Sequence, residues 1–178
     1  MKNLQFPIGK YKSIKSPSNE VFQGWISTIE SFSNDIQKLV EGLKESELGK
    51  TYRTGSWTIK QLVHHLADSH MNAFMRFKLA ITENKPIIKP YFEAEWAKLP
   101  DYKGDISSSL KIIDGVHTRW IELLNGMSSS DFDKIYIHPE FNDEYNLTEA
   151  VCQYDWHCRH HLAHIALAKD SQKLEDRS

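Results

Sequence analysis

The run Leu147-Thr148-Glu149-Ala150-Val151-Cys152-Gln153-Tyr154-Asp155-Trp156-His157-Cys158-Arg159-His160-His161-Leu162-Ala163-His164-Ile165 combines apolar residues at helical spacing with four histidines. Leu147, Val151, Tyr154, Cys158, Leu162 and Ile165 form one apolar stripe at about 100° per residue, which predicts a helix from Leu147 or Thr148 to about Lys169. Such a helix must bury its stripe against other elements. Measured from the middle of the stripe, His161 lies about 50° away, His157 about 90°, His164 about 110° and His160 about 150°. Two imidazoles four residues apart stand one turn apart on one face, the spacing that brings both to one metal ion. His157 with His161 flanks the core; His160 with His164 is the alternative pair and points further toward solvent.

Three more segments share this periodicity. The first runs from Ser18 or Asn19 to about Lys44, with Val21, Trp25, Ile29, Phe32, Ile36 and Val40 on its apolar face. The second opens on a capping box formed by Thr58 and Gln61, with Ser56 as an alternative cap, and continues through Leu62, Leu66, Ala73 and Phe77 to about Thr82. The third begins at Ser107 or Ser108 and ends near Asn125-Gly126. Between the second and third, residues 84–105 interleave three prolines with Tyr91, Phe92, Trp96 and Tyr102; a connection this long is usually functional or covers a site. Residues 132–146 alternate briefly and read as a loop or small hairpin. Residues 1–17 are an irregular arm, and 170–178 a polar tail that frays. The expectation is an all-α, antiparallel four-helix bundle with long crossover loops, a single domain over 1–178, in a fold that commonly builds metal sites from facing helices.

Length and charge narrow the function. At 178 residues the chain fits one ordinary core. With 22 basic against 24 acidic residues it has neither the basic stripe of a nucleic-acid binder nor a strongly acidic character. No segment approaches the roughly 18 to 20 apolar residues of a membrane span, and the N-terminus lacks a signal-peptide core. Cys152 and Cys158 are about 9 Å apart along one helix axis, too far for a disulfide. The reading is therefore a cytoplasmic protein with a small-molecule substrate, no nucleic acid and no membrane.

A third metal ligand must come from elsewhere. On the second helix the stripe Leu62, Leu66, Ser69, Ala73, Phe77 puts His65 about 100° off and His64 about 160° off, so His65 is the inward one. His65, His157 and His161 then offer three neutral imidazoles from two helices and leave coordination positions open, as catalytic zinc sites do. Three imidazoles suit zinc, nickel and other first-row ions. The bland alternative is a polar seam whose histidines bond one another.

Several stretches resemble the DinB/YfiT-like superfamily of bundle proteins. They are Phe6-Pro7-Ile8-Gly9-Lys10-Tyr11, Ser56-Trp57-Thr58, the run His64-His65-Leu66-Ala67-Asp68-Ser69-His70-Met71-Asn72 with Arg76-Phe77-Lys78, then Pro90-Tyr91, His117 with Arg119-Trp120, His138-Pro139, and the C-terminal histidines. The resemblance covers nearly the whole chain and is closest to the YfiT branch, described as metal-dependent hydrolases. It implies one metal-binding histidine on the second helix and two, four apart, on the last, which fall on His65, His157 and His161. It also implies a homodimer, and chemistry that is either hydrolysis or transfer of a low-molecular-weight thiol such as bacillithiol.

No residue stands out as a general base. The HExxH pattern, whose glutamate activates water in metalloproteases, is absent, which weakens hydrolysis more than thiol transfer. Asp68 is a candidate to orient a ligand ring or simply a solvated acid. Arg119 is a candidate anion-holding group or a surface arginine lying along apolar neighbours. His70 and Arg76 are substrate contacts or structural polar groups. Cys158 sits mid-stripe and reads as a small hydrophobe. Two functions remain open: a metal-dependent enzyme, or a non-catalytic dimeric bundle that binds a small molecule and uses its histidines structurally.

Overall fold

Ser18 starts the first long helix by accepting a hydrogen bond from the Val21 N–H at 3.3 Å, which satisfies one of the donors a helix start leaves open. The computed structural model describes residues 4–140 and 143–170, so the expected polar tail beyond 170 lies outside the described residues. Helix α1 spans Asn19–Val40 (22 residues). It stops short of the expected Lys44 because Gly42 takes φ 72°, the left-handed conformation that ends helices and that glycine adopts without strain. Helix α2 spans Ile59–Thr82 (24 residues) and opens on the capping box at Thr58, with Gln61 N donating to Thr58 Oγ1 at 3.1 Å and Thr58 N to Gln61 Oε1 at 3.0 Å. Helix α3 spans Ser107–Gly126 and α4 spans Leu147–Asp170.

Helix α1 packs against α3 and α4, and α2 packs against the same two, so consecutive α1 and α2 lie on one diagonal of the bundle. Ile29 meets His117 and Ser33 meets Asp114, so α1 and α3 are antiparallel; His65 meets His161 and His70 meets His157, so α2 and α4 are too. By contrast, α2 and α3 run the same way, since His64 bonds Ser109, His70 approaches His117 and Phe77 packs on Trp120. Neighbouring parallel helices need a connection that returns the full length of the bundle. Residues 83–106 make that return. They are pinned to β1 (Ile135–His138), where Ile88 N donates to Ile137 O at 3.0 Å and Ile137 N to Pro86 O at 2.9 Å. Strand β1 pairs antiparallel with β2 (Asp143–Asn146), Tyr136 opposite Tyr145. This is the all-α four-helix bundle with long crossovers, plus the small hairpin.

Two apolar layers fill the bundle. Trp25, Ile29, Phe77, Trp120 and Val151 occupy one end, and Phe32, Ile36, Leu62, Ile113 and Ile165 the other. Between them sit the rings of His70 and His117, touching Phe32 on one side and Trp120 on the other. The N-terminal arm runs along α4 in reverse: Gln5 O receives His164 Nε2 at 3.2 Å, Gly9 O receives Trp156 Nε1 at 3.1 Å, and Ser13 Oγ donates to Glu149 Oε1 at 2.8 Å. Among the described residues, no helix is long and apolar enough to cross a membrane.

Candidate metal centre

Helix α2 presents His65 toward α4, whose one-turn repeat presents His157 and His161 back. Ring centroids lie 5.0 Å apart for His65 and His161, 5.5 Å for His65 and His157, and 4.5 Å for His157 and His161. The ligand atoms these three residues offer all lie within 4.8 Å of one another, and they are the group of potential metal ligands found among the described residues. Trp57 closes the cluster on the His65 side, its ring centroid 4.7 Å away.

Burial keeps these rings uncharged. Loss of solvent pushes His65 down to about 4, and it lowers His157 and His161 well below the ordinary imidazole value, with the neighbouring histidines adding to the effect. Neutral imidazole is the form that binds a metal ion. The Nδ1 atoms of His65 and His161 are buried and have no hydrogen-bond partner, a condition worth about 1–3 kcal/mol per atom if nothing relieves it. Three neutral imidazoles without a competing thiolate or carboxylate suit a borderline-soft divalent ion such as zinc or nickel. The residues present therefore fit a metal.

His64, His160 and His164 are held by packing and hydrogen bonds of the fold, and here the structure corrects the helical-phase reading. His160 and His164 do not turn to solvent, being 6% and 2% exposed, because the N-terminal arm and the 49–58 loop cover that face. Phe6 and Trp156 stack on His160, and Tyr52 on His164. Phase on a single helix ignores an extra layer laid over it. His64, placed far from the core by the same count, is also buried: Ser109 Oγ lies 2.8 Å from its Nδ1, and Gly104 O lies 3.4 Å from its Nε2.

Asp68 and Arg119, the candidates for orienting a ligand ring and holding an anion, are engaged elsewhere. Asp68 accepts the Tyr102 hydroxyl at 2.7 Å, tying the crossover to α2. Arg119 is exposed, its guanidinium 5.4 Å over the Phe74 ring. Cys158 is fully buried in the apolar layer, which pushes its thiol well up and makes it a poor ligand.

A cavity of about 570 Å3 opens onto His157. Tyr154 and Ser69 line it from α4 and α2, Tyr91 and Glu93 from the crossover, and Tyr136 and His138 from β1. Arg76 reaches in from α2, its Nε buried and without a hydrogen-bond partner, and the Tyr91 hydroxyl is in the same condition. Partial removal from solvent raises the Glu93 carboxyl against the opposing pull of the Arg76 guanidinium, while the residue itself stays exposed at the cavity rim. Sequence reasoning missed Glu93. It belongs to a one-turn helix, Glu93–Trp96, within the crossover, and no spacing relates it to the histidines. The one signal was the length and aromatic content of the loop itself.

A bundle with diagonal succession of helices, a full-length crossover and a three-histidine cluster beside a cavity defines a recognisable class. The chain belongs to the DinB superfamily, whose pattern matches residues 28–165. It is 42% identical over 170 residues, covering 96% of this chain and 98% of the other, to a protein of Bacillus mycoides (strain KBAB4) named provisionally as a metal-dependent hydrolase. It is 44% identical over 165 residues to a protein of Bacillus pumilus (strain SAFR-032) named in the same way, covering 93% and 94% of the two chains. Among solved structures it is similar to YfiT from Bacillus subtilis, described as a probable metal-dependent hydrolase with an unusual four-helix bundle topology, with a TM-score of 0.91 and 41% identity over 97% of this chain and 98% of that one. A mycothiol-dependent maleylpyruvate isomerase shares the fold at a TM-score of 0.65 and 12% identity, covering 81% of this chain and 60% of that one.

Proposed function

We propose that this protein is a metal-dependent enzyme acting on a small molecule, with one zinc or nickel ion on His65, His157 and His161 and substrate in the adjoining cavity. The observation that carries the reading is the opening of that cavity onto His157. Similarity along nearly its whole length to proteins named as metal-dependent hydrolases supports it.

When bound, the ion would supply Lewis acidity, enough to bring the pKa of a bound water toward about 7 or to stabilise a thiolate. The chain's own residues do the rest. The unpartnered Arg76 Nε holds an anionic group of the substrate, and the Tyr91 hydroxyl orients it. Glu93 moves the proton: its raised carboxyl is nearer the operating pH than a solvated glutamate, which suits a general base that later acts as acid. This supplies the base that the absent HExxH motif left missing, so hydrolysis is the first reading. Thiol transfer is the second, favoured by Arg76, a cation suited to a carboxylate-bearing thiol. The two unpaired, buried cysteines accord with a reducing compartment, and the reading includes a cytoplasmic homodimer.

The test offers zinc-loaded and metal-free protein a panel of esters and amides, and separately an electrophile with each of several cellular thiols. Metal-dependent hydrolysis supports the first reading, and a metal-dependent thiol adduct the second. Neither reaction on any compound contradicts an enzymatic role.

A further inference from the structure

Three histidines from three helices form a hydrogen-bonded line that ends on a candidate ligand. His117 Nδ1 lies 2.7 Å from the Ile29 carbonyl oxygen, His117 Nε2 lies 2.7 Å from His70 Nδ1, and His70 Nε2 lies 3.1 Å from His157 Nδ1. His70 is 0% and His117 2% exposed, so no water competes for these contacts.

One end of the line dictates every proton in it. A carbonyl oxygen can only accept, so His117 must carry its proton on Nδ1, leaving a lone pair on Nε2. A neutral ring has one N–H, so His70 must donate from Nδ1 to that lone pair and in turn accept at Nε2. His157 must then donate from Nδ1. Its Nε2 is left with the lone pair, the form in which a histidine binds metal. Both rings are buried and each nitrogen faces another ring nitrogen or a carbonyl rather than a carboxylate, surroundings that favour the neutral form.

We propose that His70 and His117 are positioning residues: together with the Ile29 carbonyl they fix the tautomer and ring orientation of His157, presetting its Nε2 for the metal. This rests on the metal-centre reading for its purpose, though not for its geometry. Metal-ligating histidines usually donate their second N–H to a carboxylate, a carbonyl or water. Here the carbonyl acts from a distance through two neutral rings, so the ligand is oriented without adding negative charge to the centre.

The test begins with the metal-free, unsubstituted protein, in which ring-nitrogen NMR shifts report the tautomer of each histidine. The expected result is Nδ1–H on His70, His117 and His157. Nε2–H or a tautomer mixture at His157 overturns the proposal whether or not the protein binds metal, which separates this failure from failure of the metal reading. Zinc affinity, measured by chelator competition, supplies the second arm. His70→Leu should weaken it on the order of 10- to 100-fold, and His70→Gln, which keeps an acceptor toward His157 and a donor toward His117, should recover most of the loss. His117→Leu, which removes no direct contact to a ligand, should shift His157 to a tautomer mixture. Unchanged affinity in a folded His70→Leu protein overturns the proposal. If that variant does not fold, the tautomers of the unsubstituted protein decide.

Discussion

The ring of Tyr52 lies flat on that of His164, their centroids 3.8 Å apart and their planes 9° apart. With its Nε2 on the Gln5 carbonyl, His164 is committed to holding the 49–58 loop and the N-terminal arm onto α4. Its replacement should therefore cost stability and not metal. His164→Ala is expected to lower unfolding free energy by about 1–3 kcal/mol, read by urea titration, with zinc content unchanged. Loss of metal in His164→Ala or His160→Ala, with retention in His157→Ala, would move the site to the outer pair.

Trp120 is the largest fully buried side chain, wedged between Phe77 at 5.2 Å and Tyr154 at 5.3 Å between ring centroids. Trp120→Ala removes contacts from α2 and α4 at once, beside the layer that seats His70 and His117. A loss of about 3–5 kcal/mol is expected. A loss under about 1 kcal/mol would mean that this layer is not the packed core described here.

Much of this architecture was legible in the chain. The capping box at Thr58 and Gln61 marked the start of α2, and the apolar stripes gave all four long helices, because both signals are local. His65, His157 and His161 were selected by phase and are brought together by the fold. What sequence could not supply was whatever depends on other elements. The burial of His160 and His164 comes from an arm more than a hundred residues upstream. The end of α1 at Val40 was readable from Gly42, yet the apolar Leu43 extended the pattern past it. Arg76 and Glu93 line one cavity only because the crossover folds back onto the hairpin.

Acid should destabilise the metal-free protein. Burial lowers His117 to about 4, whereas the unfolded chain titrates near 6.5, so between these values the unfolded state binds more protons. Stability then rises with pH across that window and falls as pH drops through it, by up to about 1.4 kcal/mol per pH unit for each such group. The other buried rings of the cluster act in the same direction. Urea midpoints at pH 7.5, 6 and 5 should fall in that order. Equal midpoints would contradict the assignment of neutral, buried imidazoles.

Glu93→Gln keeps the size of the side chain and removes its ability to take a proton. For a substrate hydrolysed by the loaded protein, kcat should drop by about 10²- to 10⁴-fold, while zinc content and melting temperature stay as they were. An unchanged kcat would remove Glu93 from proton transfer and return the question of the base to the remaining cavity residues. Arg76→Met should instead act on KM for anionic substrates and leave neutral ones nearly unaffected.

The central claim is that α2 and α4 jointly hold one ion. Metal analysis of protein purified without a histidine tag, beside its His65→Ala variant, tests it most directly. About one equivalent of divalent metal per chain in the unsubstituted protein and near none in the folded variant is the predicted result. Less than about half an equivalent in the first, or the same content in both, would contradict it.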